Sequence, residues 1–272
     1  MDHAWNDRKL RSSAANWLVI FAVSLLFVGW LLNTPTGLLG KADAVGYAVC
    51  HRIESRSFAI ADRFLPLCAR CTGMYLGVVI GLLYQSLLTP RRSGAPAKAT
   101  WIPLVLLVLF FFFDGLNSFI HIIPGAPTLY EPQNWSRLLS GTGMGIVIAV
   151  LLQPGFNQSV WNRVDRRPAL SSFWRLVVII VIALGVDILV LSENPMFLYP
   201  LAIISSLGVL IVLTMVYCMV WLMVLKRENS CSRLSELSLP LLAGFALAII
   251  QIGVLDAIRY YFTATWSGFP LT

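Results

Sequence analysis

Seven apolar runs of about 20 residues each, near 17–33, 67–88, 101–123, 136–153, 174–192, 198–225 and 239–262, leave this chain very few ways to fold. Each is long enough to cross the hydrocarbon core of a bilayer, where a helix satisfies its own backbone N–H and C=O groups. Composition agrees: 58% of residues are hydrophobic and only 12% charged, against about a quarter charged in soluble globular proteins. The predicted class is therefore all-α, a polytopic membrane bundle of seven transmembrane helices. It divides into a polar tail (1–16), a core membrane domain (17–155) and a C-terminal three-helix extension (156–272). Arg8, Lys9 and Arg11 before the first run, and Ala42-Asp43-Ala44 after it, give it some features of a signal peptide. The small-x-small triplet lies too far beyond the run for a processing site, so the run reads as an anchor. His3, in the tail, reads as a solvated surface histidine.

Basic residues in short connections mark the cytoplasmic side. With the N-terminus inside, the internal segments carry Arg8, Lys9 and Arg11; Arg91, Arg92 and Lys98; Arg163, Arg166, Arg167 and Arg175; and Lys226, Arg227 and Arg233. The external connections 124–135 and 193–197 have no Lys or Arg, so the chain is expected to run N-inside, C-outside. The net charge of +7 follows from these loops and from contact with anionic membrane lipid; nothing in the pattern indicates nucleic acid. One external connection breaks the rule. Asn33 to Leu65 contains Lys41, Arg52, Arg56 and Arg63, so either the first hairpin is misassigned or these arginines have work to do there. Its length far exceeds the usual loop of about 4–6 residues, and Phe58, Ile60, Phe64 and Leu65 point to an ordered or re-entrant segment.

That connection leads into the densest cluster of chemistry in the chain. Cys50, His51, Cys68 and Cys71 fall within twenty-two residues, and the Cys68-x-x-Cys71 pair opens the second apolar run behind Pro66, which suits a helix start. On a helix Cys68, Cys71, Thr72 and Tyr75 share one face, while Gly73, Gly77 and Gly81 form a second face suited to close packing against another helix. The third run ends with Asp114, Asn117, Ser118 and His121 on one stripe. An ionisable group at membrane depth costs at least about 2.5–3.5 kcal/mol, so Asp114 is read as a functional or paired group facing the interior, near the thiols. Glu131 and Asn134 precede the fourth run and suit a helix cap. Arg137, at that run's outer end, is expected near a carboxylate such as Glu131 or Asp114. Further on, Asp187 and Gln251 are isolated polar groups, Asp256 and Arg259 are spaced to pair, and Cys218 and Cys231 read as inert thiols.

Together, Cys50-His51, Arg56-Ser57-Phe58 and Leu67-Cys68-Ala69-Arg70-Cys71-Thr72-Gly73-Met74-Tyr75-Leu76-Gly77 resemble the signature of a prokaryotic family of small membrane proteins known as a domain of unknown function. The likeness continues through Asp114-Gly115 and through Glu131, Asn134, Arg137 and Gly141, covering roughly residues 45–155. The pattern departs from the family at Arg52 and Ser118, where glutamine is usual. The resemblance implies a plasma-membrane protein and no particular activity.

Three readings of the cluster remain. Cys50, Cys68 and Cys71, with His51 as fourth ligand or His121 or Asp114 in its place, make a set for zinc or a similar divalent metal at the external face. Alternatively, a CxxC in a first helical turn beside Arg70, with Cys50 as partner, suits thiol–disulfide exchange with a quinone, an arrangement that looks like the vitamin K epoxide reductase family. In the third reading Arg52, Arg56, Arg63, Arg70 and Arg137 hold an anionic lipid or polyprenyl phosphate, and the cysteines are structural. The topology common to all three is checked with reporters. A reporter fused after Arg92 is expected to behave as cytoplasmic and one after Pro127 as external; the reverse pattern moves the thiols to the cytoplasmic face.

Overall fold

The computed structural model describes residues 2–123, 125 and 127–266, with side chains from residue 16 onward, so the reading of His3 lies outside the described residues. Eight helices and two short strand pairs follow in the order α1 (Asp2–Asn33), α2 (Gly37–Val49), β1 (Ala59–Ile60), β2 (Arg63–Phe64), α3 (Ala69–Leu88), β3 (Arg92–Gly94), α4 (Lys98–Ile120), α5 (Asn134–Val160), β4 (Asp165–Pro168), α6 (Phe173–Leu191), α7 (Pro195–Val224) and α8 (Leu234–Thr263). Seven of the described helices are long and apolar enough to cross a membrane: α1 from Asn16 onward, and α3 to α8. The protein is an all-α polytopic membrane bundle, as predicted. Helix ends lie a few residues from the hydropathy limits because polar turns extend a helix beyond its apolar stretch: α5 runs from Asn134 to Val160, where hydropathy marks 136–153.

The bundle is built on the packing of α3 against α5. Gly73, Gly77 and Gly81 face Leu138, Thr142 and Ala149 of α5, while Gly141 and Gly145 face Arg70 and Met74 of α3. A Cβ on Gly141 would lie 2.0 Å from the Arg70 carbonyl oxygen, and one on Gly145 2.0 Å from that of Met74. These backbones meet with no room for a side chain between them, the small-residue contact that lets membrane helices associate by van der Waals packing. Contacts rise together in residue number, so the two helices are parallel and their N-termini share one end of the bundle. α5 is accordingly the most enclosed span, with 67% of its window buried against 44% for α3 and less for every other.

The long first connection is ordered. α2 turns back over the start of α3, with Gly46 so close to the Pro66 carbonyl that a Cβ would lie 2.0 Å from its oxygen. A single 3₁₀ turn at Glu54–Arg56 then leads to an antiparallel hairpin in which Ala59 pairs with Phe64. Phe58 and Leu65 are buried in a cluster with Leu76, Leu138 and Leu198, so the segment rests on α3, α5 and α7. α8 secures its middle: Arg259 Nη1 donates to the carbonyls of Tyr47 and Cys50 at 2.6 Å each, and the guanidinium lies 4.0 Å over the Tyr47 ring. The expected pairing of Asp256 with Arg259 is not what forms. Asp256 is buried beside Trp30, while Arg259 is drawn to three carbonyls at the C-terminal end of α2 and just beyond it, that of His51 being the third.

At the opposite end β3 and β4 pair in parallel, bringing together two of the basic connections, with Arg92 Nε 3.7 Å from Asp165 Oδ2. The seam should be sensitive to a single methyl. Gly145→Ala is expected to cost about 1–3 kcal/mol through overpacking, lowering the melting temperature in detergent, whereas Gly155→Ala, whose Cβ would meet nothing within 4 Å, leaves it unchanged or raises it. A Gly145→Ala protein as stable as the parent would remove the seam from its central place.

Candidate functional site

Three cysteines from two segments meet beside the N-terminus of α3. Cys50 ends α2 as its C-cap, with its N–H bonded to the Gly46 carbonyl at 2.8 Å. Cys68 is the N-cap of α3, and Cys71 lies in its first turn. The three sulfurs lie within 4.8 Å of one another, and the Cys68 N–H donates to Cys50 Sγ at 3.3 Å. All are free thiols. Val45, Leu67, Val209 and Ile252 close an apolar shell around them, with Tyr75 alongside. The Cys68 and Cys71 thiols donate to Cys50 and hold it well below the usual thiol range, against the effect of burial. Cys68 is pushed up to about 12, chiefly because its proton is engaged by Cys50. Cys50 is thus the sulfur on which the hydrogen bonds of the other two converge.

His51 does not join the group. Cys50 is extended, with φ −132° and ψ 145°, so the next side chain points the other way, and His51 is exposed. His121 is exposed as the C-cap of α4. Among the described residues no fourth His, Cys, Asp or Glu comes within the same reach of the three sulfurs.

Asp114 is fully buried, as its membrane depth demanded, and faces the interior. Its carboxylate is committed to other partners: it accepts from Arg70, from the Tyr130 hydroxyl at 2.6 Å and from the Ser140 hydroxyl at 3.0 Å. Arg70, placed between the two α3 cysteines, ties this group to the thiol site. The rest of the polar stripe is interior too, apart from His121. Asn117 receives the Leu129 N–H and donates to the Tyr130 carbonyl, both at 2.9 Å, which sets Tyr130 over Asp114. Burial, and then the hydrogen bond to Asp114, push the Tyr130 phenol up to about 12.

The five arginines separate into two groups. Arg52 and Arg63 both reach Asp43 on α2, Arg52 at 2.8 Å. Arg56, Arg70 and Arg137 lie on the α4–α5 side: Arg56 Nη2 donates to the Ser118 carbonyl at 3.4 Å and Arg70 Nη2 to the Ser118 hydroxyl at 3.0 Å. Burial and the neighbouring Arg70 charge hold Arg56 below the usual guanidinium range. Arg137, expected near a carboxylate such as Glu131 or Asp114, feels the Asp114 charge but forms no ion pair with either among the described residues. Glu131 is exposed, and Arg137 Nη1 donates instead to the Asn134 amide oxygen, one turn back, at 3.0 Å. Asn134 therefore serves Arg137 and is not the helix cap; that position belongs to Gln133, whose side chain closes no capping bond. Asp43, Tyr130 and Ser140 of this site were missed in the sequence. Asp43 drew notice only as the middle of Ala42-Asp43-Ala44, and Tyr130 lies in a connection with no periodicity to mark it.

A family model described as "Predicted membrane protein (DUF2085)" matches residues 50–151, a stretch that begins at Cys50 and includes Arg137. An uncharacterized protein of Methanothermobacter thermautotrophicus is 33% identical over 103 residues, 38% of this chain and 83% of the archaeal one. The chain belongs to the DUF2085 family. A second uncharacterized archaeal protein, from Methanocaldococcus jannaschii, is 25% identical over 120 residues, 44% of this chain and 71% of its own. No solved structure matches. The family match takes in α3, α4 and most of α5 with the thiol and arginine sites; α6 to α8 lie beyond it.

The Arg70–Asp114 link generates a direct test. Removing one partner of a buried ion pair strands the other, at about 3–5 kcal/mol. Asp114→Asn keeps the shape and is expected to destabilise by less than Asp114→Ala, while both make Cys71 more reactive to alkylation by freeing Arg70 beside it. Unchanged reactivity in both variants would separate Asp114 from the thiol site.

Proposed function

We propose that this DUF2085 protein is a membrane metalloprotein in which Cys50, Cys68 and Cys71 hold one zinc or similar thiophilic ion, at the bundle end predicted to face outward. The observation that carries this reading is the convergence of three sulfurs, that of buried Cys50 and those of half-buried Cys68 and Cys71, within 4.8 Å. Tetrahedral zinc with bonds of about 2.3 Å separates its sulfur ligands by about 3.8 Å, so a small contraction suffices. The donor set fits the metal in kind as well. Two ligands come from a CxxC at a helix start and the third from a separate segment, and one sulfur is already inclined to ionise.

Three protein ligands leave a fourth position for water or a substrate, the pattern of catalytic rather than closed structural zinc sites. When bound, such an ion acts as a Lewis acid and lowers the pKa of a coordinated water. Around it, the apolar shell of Val45, Leu67, Val209 and Ile252 limits water, and Arg259 fixes the Cys50 carbonyl so that this sulfur keeps its position.

A second reading, thiol–disulfide exchange with a quinone as oxidant, is favoured by the contrast between a low Cys50 and a proton-holding Cys68. Full-length protein purified without chelator separates the two. The metal reading expects about one ion per chain by elemental analysis, lost in Cys68→Ser and Cys71→Ser and weakened in Cys50→Ser. Retention should fall as the pH is lowered, because protons compete with the metal for the thiolates. Metal-free protein whose cysteines alternate between a disulfide and free thiols on addition of quinone and reductant would establish the second reading instead.

A further inference from the structure

We propose that Arg56, Arg70 and Arg137 form a binding site for a phosphate-type oxyanion over the paired N-termini of α3 and α5. This site stands on different side chains from the thiol centre and does not depend on a metal there. It narrows the five candidate arginines to three. Arg52 and Arg63 have Asp43, and Arg63 is half exposed, so that pair is satisfied where it is.

The other three have a single carboxylate among them. Arg70 bonds Asp114, and Arg56 and Arg70 meet on Ser118. Ser140, one turn beyond Arg137 on α5, reaches the same Asp114 carboxylate at 3.0 Å. Arg137 is only 6% exposed, yet the one side-chain hydrogen bond it makes among the described residues goes to a neutral amide, and its Nε has no partner; the buried Nε of Arg70 has none either. Arg137 also feels the like charges of Arg56 and Arg70 and, in the opposite sense, that of Asp114, the one carboxylate already shared with Arg70.

Three guanidiniums against one carboxylate leave two positive charges. Even if three thiolates and a divalent ion contributed one negative charge nearby, one positive charge would remain. Burying a charge without a partner is expensive, so the arrangement calls for an anion. The backbone adds to the demand. Neither α3 nor α5 has an acidic residue in its first turn, and neither N-cap side chain closes a bond, so both helices direct uncapped N–H groups and the positive end of the dipole to this side. Guanidiniums arriving from the loop, from α3 and from α5 can each present a fork to one oxygen pair, which suits a tetrahedral oxyanion better than a planar carboxylate.

The same phosphate chemistry can come from solution or from a phosphomonoester lipid headgroup. Full-length protein in phosphatidylcholine nanodiscs is titrated calorimetrically with inorganic phosphate and, separately, with short-chain phosphatidate. Saturable binding of either is expected, weakened roughly tenfold or more by Arg56→Gln or Arg137→Gln, in line with loss of one charged hydrogen-bonding group, and unaffected by Arg63→Gln. Phosphate that binds and is displaced by phosphatidate supports one site open to both sources; phosphatidate binding alone assigns the lipid headgroup. If Arg137→Gln does not fold, Arg56→Gln, outside the helix seam, decides. The proposal is overturned if neither ligand binds the parent saturably, or if the Arg56 and Arg137 variants that fold bind as the parent does.

Discussion

Contact between the backbones of α3 and α5 is the interaction on which the rest of this protein depends. Gly73, Gly77 and Gly81 on one helix, with Gly141 and Gly145 on the other, bring the two chains to a distance that a single Cβ would abolish. In lipid, where burying apolar side chains between helices brings little, such close packing is a main source of association. It also has a geometric consequence. Because the helices run parallel at this spacing, the CxxC of α3 and Arg137 of α5 reach the same level, with two positive helix ends side by side.

Charge management at that end follows from burial. A guanidinium in apolar surroundings must find an acceptor, and three different solutions appear within one face of the bundle. Asp43 takes Arg52 and Arg63. Asp114, fully buried, takes Arg70 and adds two hydroxyl donors. Arg259 has backbone carbonyls of the turn after α2 and the face of Tyr47, and so fastens the segment carrying Cys50 to α8. Arg56 and Arg137 each have a single neutral oxygen acceptor among the described residues, and they lie next to the thiol centre rather than away from it.

The thiol site was legible in outline. A CxxC behind Pro66 announces a helix start, and the glycine spacing announces the face that must pack, because both are local patterns with a fixed period. Asp114 was legible for a different reason, the penalty on a carboxylate at membrane depth. The partners of these groups were not. Asp43 and Tyr130 occupy positions whose local sequence gives no sign of what they will face, and the spacing of Asp256 and Arg259 suggested a pair that competition from carbonyls of another segment prevents.

From the sequence alone, then, came the membrane bundle, its seven spans, the glycine face, and the cysteines and arginines singled out as candidates, since hydrophobic length and helical period are properties of neighbouring residues in the chain. Tertiary structure decided which of these groups meet. It brought Cys50 to the CxxC and turned His51 away through one extended residue, and it gave Asp114 to Arg70 and left Arg137 with a neutral amide. Those outcomes depend on how close separate helices approach and on which acceptor each buried donor reaches first, and no spacing along the chain encodes either.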